Sequence, residues 1–181
     1  LLDQAMSINE NDDPSSELFC TIAAGITYMA VDSTETRAEP TLLRAAEAMR
    51  NGAYDDTGLY PQAMANLANI YIRKNEFQKG ISLCQEVMEQ SNKLQNPRGA
   101  MLAAINLCGN YTELNFFDRA LHYNNEGLRL FREDNETWGM AASLYERRAL
   151  IYKRMGLIDS AFLALNLADS FYIRATNPRG Q

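Results

Sequence analysis

The sequence predicts an all-α fold, a solenoid of stacked antiparallel helix pairs, and three observations predict it. First, Asn66-Leu67-Ala68-Asn69-Ile70-Tyr71 returns as Asn106-Leu107-Cys108-Gly109-Asn110-Tyr111, and more weakly as Arg148-Ala149-Leu150-Ile151-Tyr152. The three tyrosines stand 40 and 41 residues apart. Second, Gly58, Gly99, Gly139 and Gly180 keep the same period, at spacings of 41, 40 and 41. Third, no segment alternates apolar and polar residues with the period of two that a half-buried strand requires. Self-similarity at one period of this length marks a repeat array, in which each unit covers its neighbour.

The elements follow in order. Leu1 to Ser7 reads as the tail of a helix, and Asn9 to Ser16 as a polar break. Ser15 or Ser16 is placed to cap a helix over Glu17 to Val31, where Leu18, Ile22, Ala23, Gly25, Ile26 and Met29 recur at helical spacing. Pro40 suits a first helical turn, where its missing N–H costs nothing, and Thr41 to Arg50 continues that helix. Three fuller pairs then follow: Gly58 to Lys74 with Phe77 to Leu94, Gly99 to Glu113 with Phe117 to Arg132, and Trp138 to Met155 with Ile158 to Arg174. Asn75-Glu76, Leu114-Asn115 and Gly156 are the tight turns inside them. Phe77 and Phe117 are expected to fill the wedge between the two helices of a pair. Ala68, Gly80, Cys108, Ala120, Ala149 and Ala161 are expected to let the backbones approach closely. The array therefore spans residues 1–181, with a degenerate repeat at 16–52 and clear repeats at 58–95, 98–135 and 137–175. Asn96-Pro97-Arg98-Gly99 recurs as Asn177-Pro178-Arg179-Gly180, so the chain is expected to be a fragment of a longer protein.

These residues resemble the tetratricopeptide repeat, a helix-turn-helix unit of about 34 residues. Leu67, Ala68, Tyr71 and Gly80 stand at its signature positions, as do Leu107, Cys108, Tyr111 and Ala120. In the third copy Tyr145, Ala149, Tyr152, Ala161 and Ala168 fit, with Arg148 in place of the Leu. The period is longer than the family's, which points to the long-repeat type of bacterial regulatory proteins. The resemblance implies a right-handed superhelix whose first helices line an inner wall. It places Asn66, Asn69, Asn106, Asn110 and Arg147 on that wall as ligand- or peptide-binding residues. Asn69, Asn106 and Arg147 match three positions of the family's clamp for a C-terminal carboxylate, but Ala65 and Ser143 stand where two of its lysines would be.

Composition narrows the function. Hydrophobic residues make up 46%, enough for a continuous core. A net charge of −6 speaks against a phosphate-binding surface in this segment. No stretch approaches the roughly 18 uninterrupted apolar residues of a membrane span. There is one histidine, His122, with no nucleophile or carboxylate of a catalytic pattern beside it. No phosphate loop, zinc-protease helix or nucleophile elbow is present, and the spacing of Cys20, Cys84 and Cys108 is not that of metal ligands. Cys84 and Cys108 fall at core-like positions and read as buried thiols, the alternative being a bridge between them. Arg147, Arg148, Lys153 and Arg154 make one inner helix basic, either as a solvated face or as a docking place for an acidic segment.

The expected function is thus a protein- or peptide-binding module, the sensing part of a bacterial transcriptional regulator or signalling protein. The alternative is a scaffold or assembly protein of an envelope or secretion complex. Enzymatic activity, cofactors and metals are not expected, nor is direct contact with nucleic acid or insertion into a membrane. Self-association is a further expectation. Compartment stays open, with the cytoplasm favoured over the periplasm.

Overall fold

The computed structural model describes residues 21–25, 27–28, 37–50, 59–133 and 135–176, and among these every regular element is a helix. Residues 21–25 and 27–28 are helical. They precede α1 (Ala38–Arg50), α2 (Leu59–Arg73), α3 (Phe77–Lys93), α4 (Pro97–Glu113), α5 (Phe117–Arg129), α6 (Asn135–Arg154) and α7 (Ile158–Thr176). The expected elements over residues 1–16, together with Cys20 and Gly58, lie outside the described residues, as do Asn177 to Gly180. The chain divides into two compact units, Leu1–Leu83 and Cys84–Gln181, and α3 runs from one into the other.

One local device ends four of the helices. After α2, the Glu76 N–H donates to the Tyr71 carbonyl at 2.7 Å and the Asn75 N–H to that of Ile72 at 2.9 Å. After α4 the same pair of bonds joins Phe116 to Tyr111 and Asn115 to Thr112. After α6 it joins Leu157 to Tyr152 and Gly156 to Lys153. After α3 it joins Asn96 to Ser91 and Gln95 to Asn92. This Schellman arrangement satisfies carbonyls left orphaned at a helix C-terminus and needs one left-handed residue. That residue is Asn75 (φ 62°) after α2, Asn115 (φ 61°) after α4, Gly156 (φ 78°) after α6 and Gln95 (φ 53°) after α3. The marker tyrosines therefore recur together with a turn residue four positions on.

The recurring Asn-Pro-Arg-Gly signal has a mechanism at its first occurrence. Asn96 caps α4, its side-chain oxygen accepting from the Gly99 N–H at 3.0 Å, and Pro97 occupies the first turn. The helix thus starts two residues before the expected Gly99.

In the first unit α1 packs on α2. Leu42, Met64, Leu67 and Ile70 are fully buried there. Gly80 lets α3 approach α2: a Cβ at Gly80 would stand 2.9 Å from Ile72 Cγ1 and 3.0 Å from the Ala68 carbonyl oxygen. Glu39 of α1 forms an ion pair with Lys74. Burial, the Glu39 charge and a hydrogen bond to Glu39 together raise the Tyr71 hydroxyl above its ordinary pKa.

In the second unit α4 pairs with α5 and α6 with α7, while α6 also packs on both α4 and α5. Met101, Ile105, Ala141 and Leu144 form its core, with Leu128, Phe131 and Phe171 against them. Phe131, Trp138 and Phe171 meet ring to ring at 4.8–5.2 Å, largely edge to face. The small residues lie where expected: Ala120 is 0% exposed, Cys108 0%, Ala149 3% and Ala161 7%. The wedge aromatics differ from expectation. Phe77 and Phe117 are only half-buried, and Ile158 at the same place in the last pair is exposed. Residues so close to a turn have solvent on one side, whereas the helix contacts lie a full turn deeper.

Asn124 is the polar residue at the centre of the unit and is wholly buried. Its amide donates to the Leu144 carbonyl at 2.6 Å, and its oxygen accepts from Arg148 Nε at 2.8 Å. A buried amide with both ends satisfied fixes α5 against α6 in one register.

Candidate functional site

The basic character of α6 divides once the partners are known. Arg148 is committed to Asn124 and Asn125 and lies over the Tyr145 ring at 5.6 Å. Arg154 caps the C-terminus of α4, donating to the Thr112 carbonyl at 2.7 Å and to Glu113 at 3.0 Å, where the helix dipole also favours a cation. Both arginines serve the fold. Arg147 is different: it is exposed, and among the described residues its guanidinium makes no hydrogen bond or ion pair.

Arg147 lies over Gly109. A Cβ built on Gly109 would stand 3.5 Å from the guanidinium carbon and from Nη1. The glycine leaves an opening on α4 that the planar cation covers. Asn106 lies one turn before Gly109 on the same face of α4 and is half-buried. Its amide has both donor and acceptor capacity, while the guanidinium has a fixed fork of donors suited to a carboxylate. Together they make a small polar site of a cation and an amide against bare backbone.

Of the other three expected site residues, Asn110 does not join this cluster. Asn110 is 4% exposed, and its amide points to the Cys84 sulfur at 4.0 Å, so it faces the interior. Asn66 and Asn69 belong to the first unit and are half-buried, the Asn66 amide donating to the Gln62 carbonyl within its own helix at 2.8 Å. Asn124 was missed because nothing in its local pattern, Tyr123-Asn124-Asn125, separates an inward amide from an outward one.

Cys84 and Cys108 are free and buried. Burial pushes the Cys84 thiol up to about 12. Burial raises Cys108 as well, partly offset by the Asn124 amide and the charge of Arg147. The bridge considered from the sequence is therefore not formed, and neither thiol is a nucleophile at neutral pH. His122 is exposed against the Tyr123 ring. Among the described residues no group of metal-ligating side chains forms, and no helix is long and apolar enough to cross a membrane.

No family model and no curated protein matches the chain. Among solved structures it is similar to the crystal structure of BtubC (BKLC) from P. vanneervenii. The TM-score is 0.73 and the identity 18%, and the match covers 94% of this chain and 68% of that one. At that identity the likeness is one of fold.

Proposed function

We propose that this chain is a protein- or peptide-binding module, the partner-sensing part of a regulatory or signalling protein. In this reading its helix pairs stack as a right-handed superhelix, and the first helix of each pair faces the ligand. One observation supports the reading most: Arg147 is exposed, makes no ion pair among the described residues, and lies over the bare backbone of Gly109, one turn from Asn106. An extended segment crossing here hydrogen-bonds its backbone to the Asn106 amide and sets a carboxylate against Arg147.

The test starts from a pull-down on the full chain, followed by titration calorimetry with the recovered partner. A hydrogen bond to a charged group contributes about 1.5–3 kcal/mol, so Arg147→Ala is expected to weaken binding by roughly tenfold or more. Arg129→Ala on α5, which breaks only an exposed pair with Glu126, is the control and is expected to leave affinity unchanged. Equal affinities for the two variants would remove Arg147 from the site.

A further inference from the structure

The turn between α4 and α5 carries a second surface, and comparing it with its counterpart in the first unit shows what it lacks. In the first unit Lys79 lies over the Tyr71 ring at 5.2 Å and pairs with Glu76, five residues after that tyrosine. The second unit repeats the cation and the ring: Arg119 lies over Tyr111 at 5.6 Å. The carboxylate is not repeated. The residue five positions after Tyr111 is Phe116, which is 54% exposed, and Arg119 lies over its ring at 5.7 Å. Among the described residues no carboxylate pairs with the Arg119 guanidinium.

Beside this cation is an open cavity of about 350 Å³, lined by Asn115, Phe116, Phe117, Asp118, Arg119 and Met155. Met155 comes from the α6–α7 turn and is 41% exposed. Leu157 and Ile158, which follow Met155 in the chain, are 46% and 51% exposed. Aromatic residues, methionine and arginine are the types that concentrate at the centres of protein interfaces. The combination here is an apolar recess, a cation held near two aromatic rings, and a missing counter-charge.

We propose that this cavity is a docking site for a protein segment that brings an apolar side chain and a carboxylate next to one another. The apolar group fills the recess between Phe116 and Met155. The carboxylate supplies Arg119 with the partner that Glu76 supplies to Lys79, and Asp118 accepts a peptide N–H of the segment. Attraction to the two rings holds the guanidinium beside the recess before the partner arrives. The site lies at the turns and is separate from the Arg147 cluster.

The probe is a capped tetrapeptide, acetyl-Ala-Leu-Glu-Ala-amide, titrated into the full chain while methionine-methyl NMR follows Met155. A saturable shift of the Met155 methyl is expected. Affinity is expected to fall at least about threefold for the analogue with Gln in place of Glu, and to the same degree in Arg119→Gln. Phe116→Glu rebuilds the internal pair of the first unit and is expected to abolish saturation. Arg147→Ala is expected to leave the titration unchanged, which separates this site from the inner-wall reading. Absence of a saturable shift, or equal affinity of the unmodified chain for the Glu and Gln peptides, would overturn the proposal. A titration lost in Arg147→Ala would overturn it too, since the peptide would then be bound at the other site.

Discussion

Gly127 and Gly139 both lie in helices, and the same substitution is expected to act in opposite directions at them. In isolation, Gly→Ala within a helix is favourable by about 1 kcal/mol, because it restricts the unfolded chain. At Gly139 a Cβ would meet nothing within 4 Å, so that gain stands alone. At Gly127 the Cβ would be 2.8 Å from Leu144 Cδ1 and 3.0 Å from the Ala104 Cβ. Leu144 is 0% exposed and belongs to the core with Met101 and Ile105, and Ala104 is likewise 0% exposed. Ala104 has no rotamer by which to withdraw, and Leu144 is wholly enclosed in the core. Overpacking of this kind costs about 1–3 kcal/mol, and Gly127 lies in the last turn of α5, where the propensity gain is smaller. The net expectation is a loss of about 1–2 kcal/mol for Gly127→Ala and a gain of about 0.5–1 kcal/mol for Gly139→Ala. Urea denaturation followed by helical circular dichroism reads both as midpoint shifts at constant slope. A Gly127→Ala chain as stable as the unmodified one would refute the packing assigned to α5, and a Gly139→Ala chain that lost stability would refute the open space beside α6.

Two further predictions concern the turns and the thiols. Asn115 occupies the left-handed region at φ 61°, so Asn115→Ala is expected to cost about 1 kcal/mol while Asn115→Gly stays near neutral, both read from denaturation midpoints. The Cys84 thiol is raised to about 12 in the folded chain, against about 8.5 when unfolded. Its contribution is fully present below pH 8.5 or so and is lost as pH rises toward 12, because the unfolded thiol ionises first. By pH 10 the loss is on the order of 2 kcal/mol, so the stability of Cys84→Ala relative to the unmodified chain is expected to rise between pH 7.5 and 10. A pH-independent difference would show that Cys84 is not buried. Both buried thiols are also expected to react with a thiol reagent far more slowly in the native chain than after denaturation.

The helices were legible in the sequence because their signals are local. The spacing from each marker tyrosine to the turn and the Asn-Pro start of α4 both act within one helix or one turn. Backbone hydrogen bonding and the left-handed requirement are met by nearby residues, so near-identical residues recur wherever the geometry recurs. Turn positions came out within a few residues, with the largest displacements at the end of α5 and the start of α6.

Tertiary structure alone decided which polar groups face inward. Asn106, Asn110 and Asn124 look alike in sequence, yet one is half-buried a turn from Gly109, one points to the Cys84 sulfur and one bridges α5 to α6. The four basic residues of α6 likewise form one run, but Arg148 and Arg154 have partners supplied by α5 and α4, whereas Arg147 meets a glycine. Periodicity fixes a residue's angle around its own helix axis. Whether that angle meets a carbonyl, a sulfur, a bare backbone or water depends on the neighbouring helix, which no local pattern encodes.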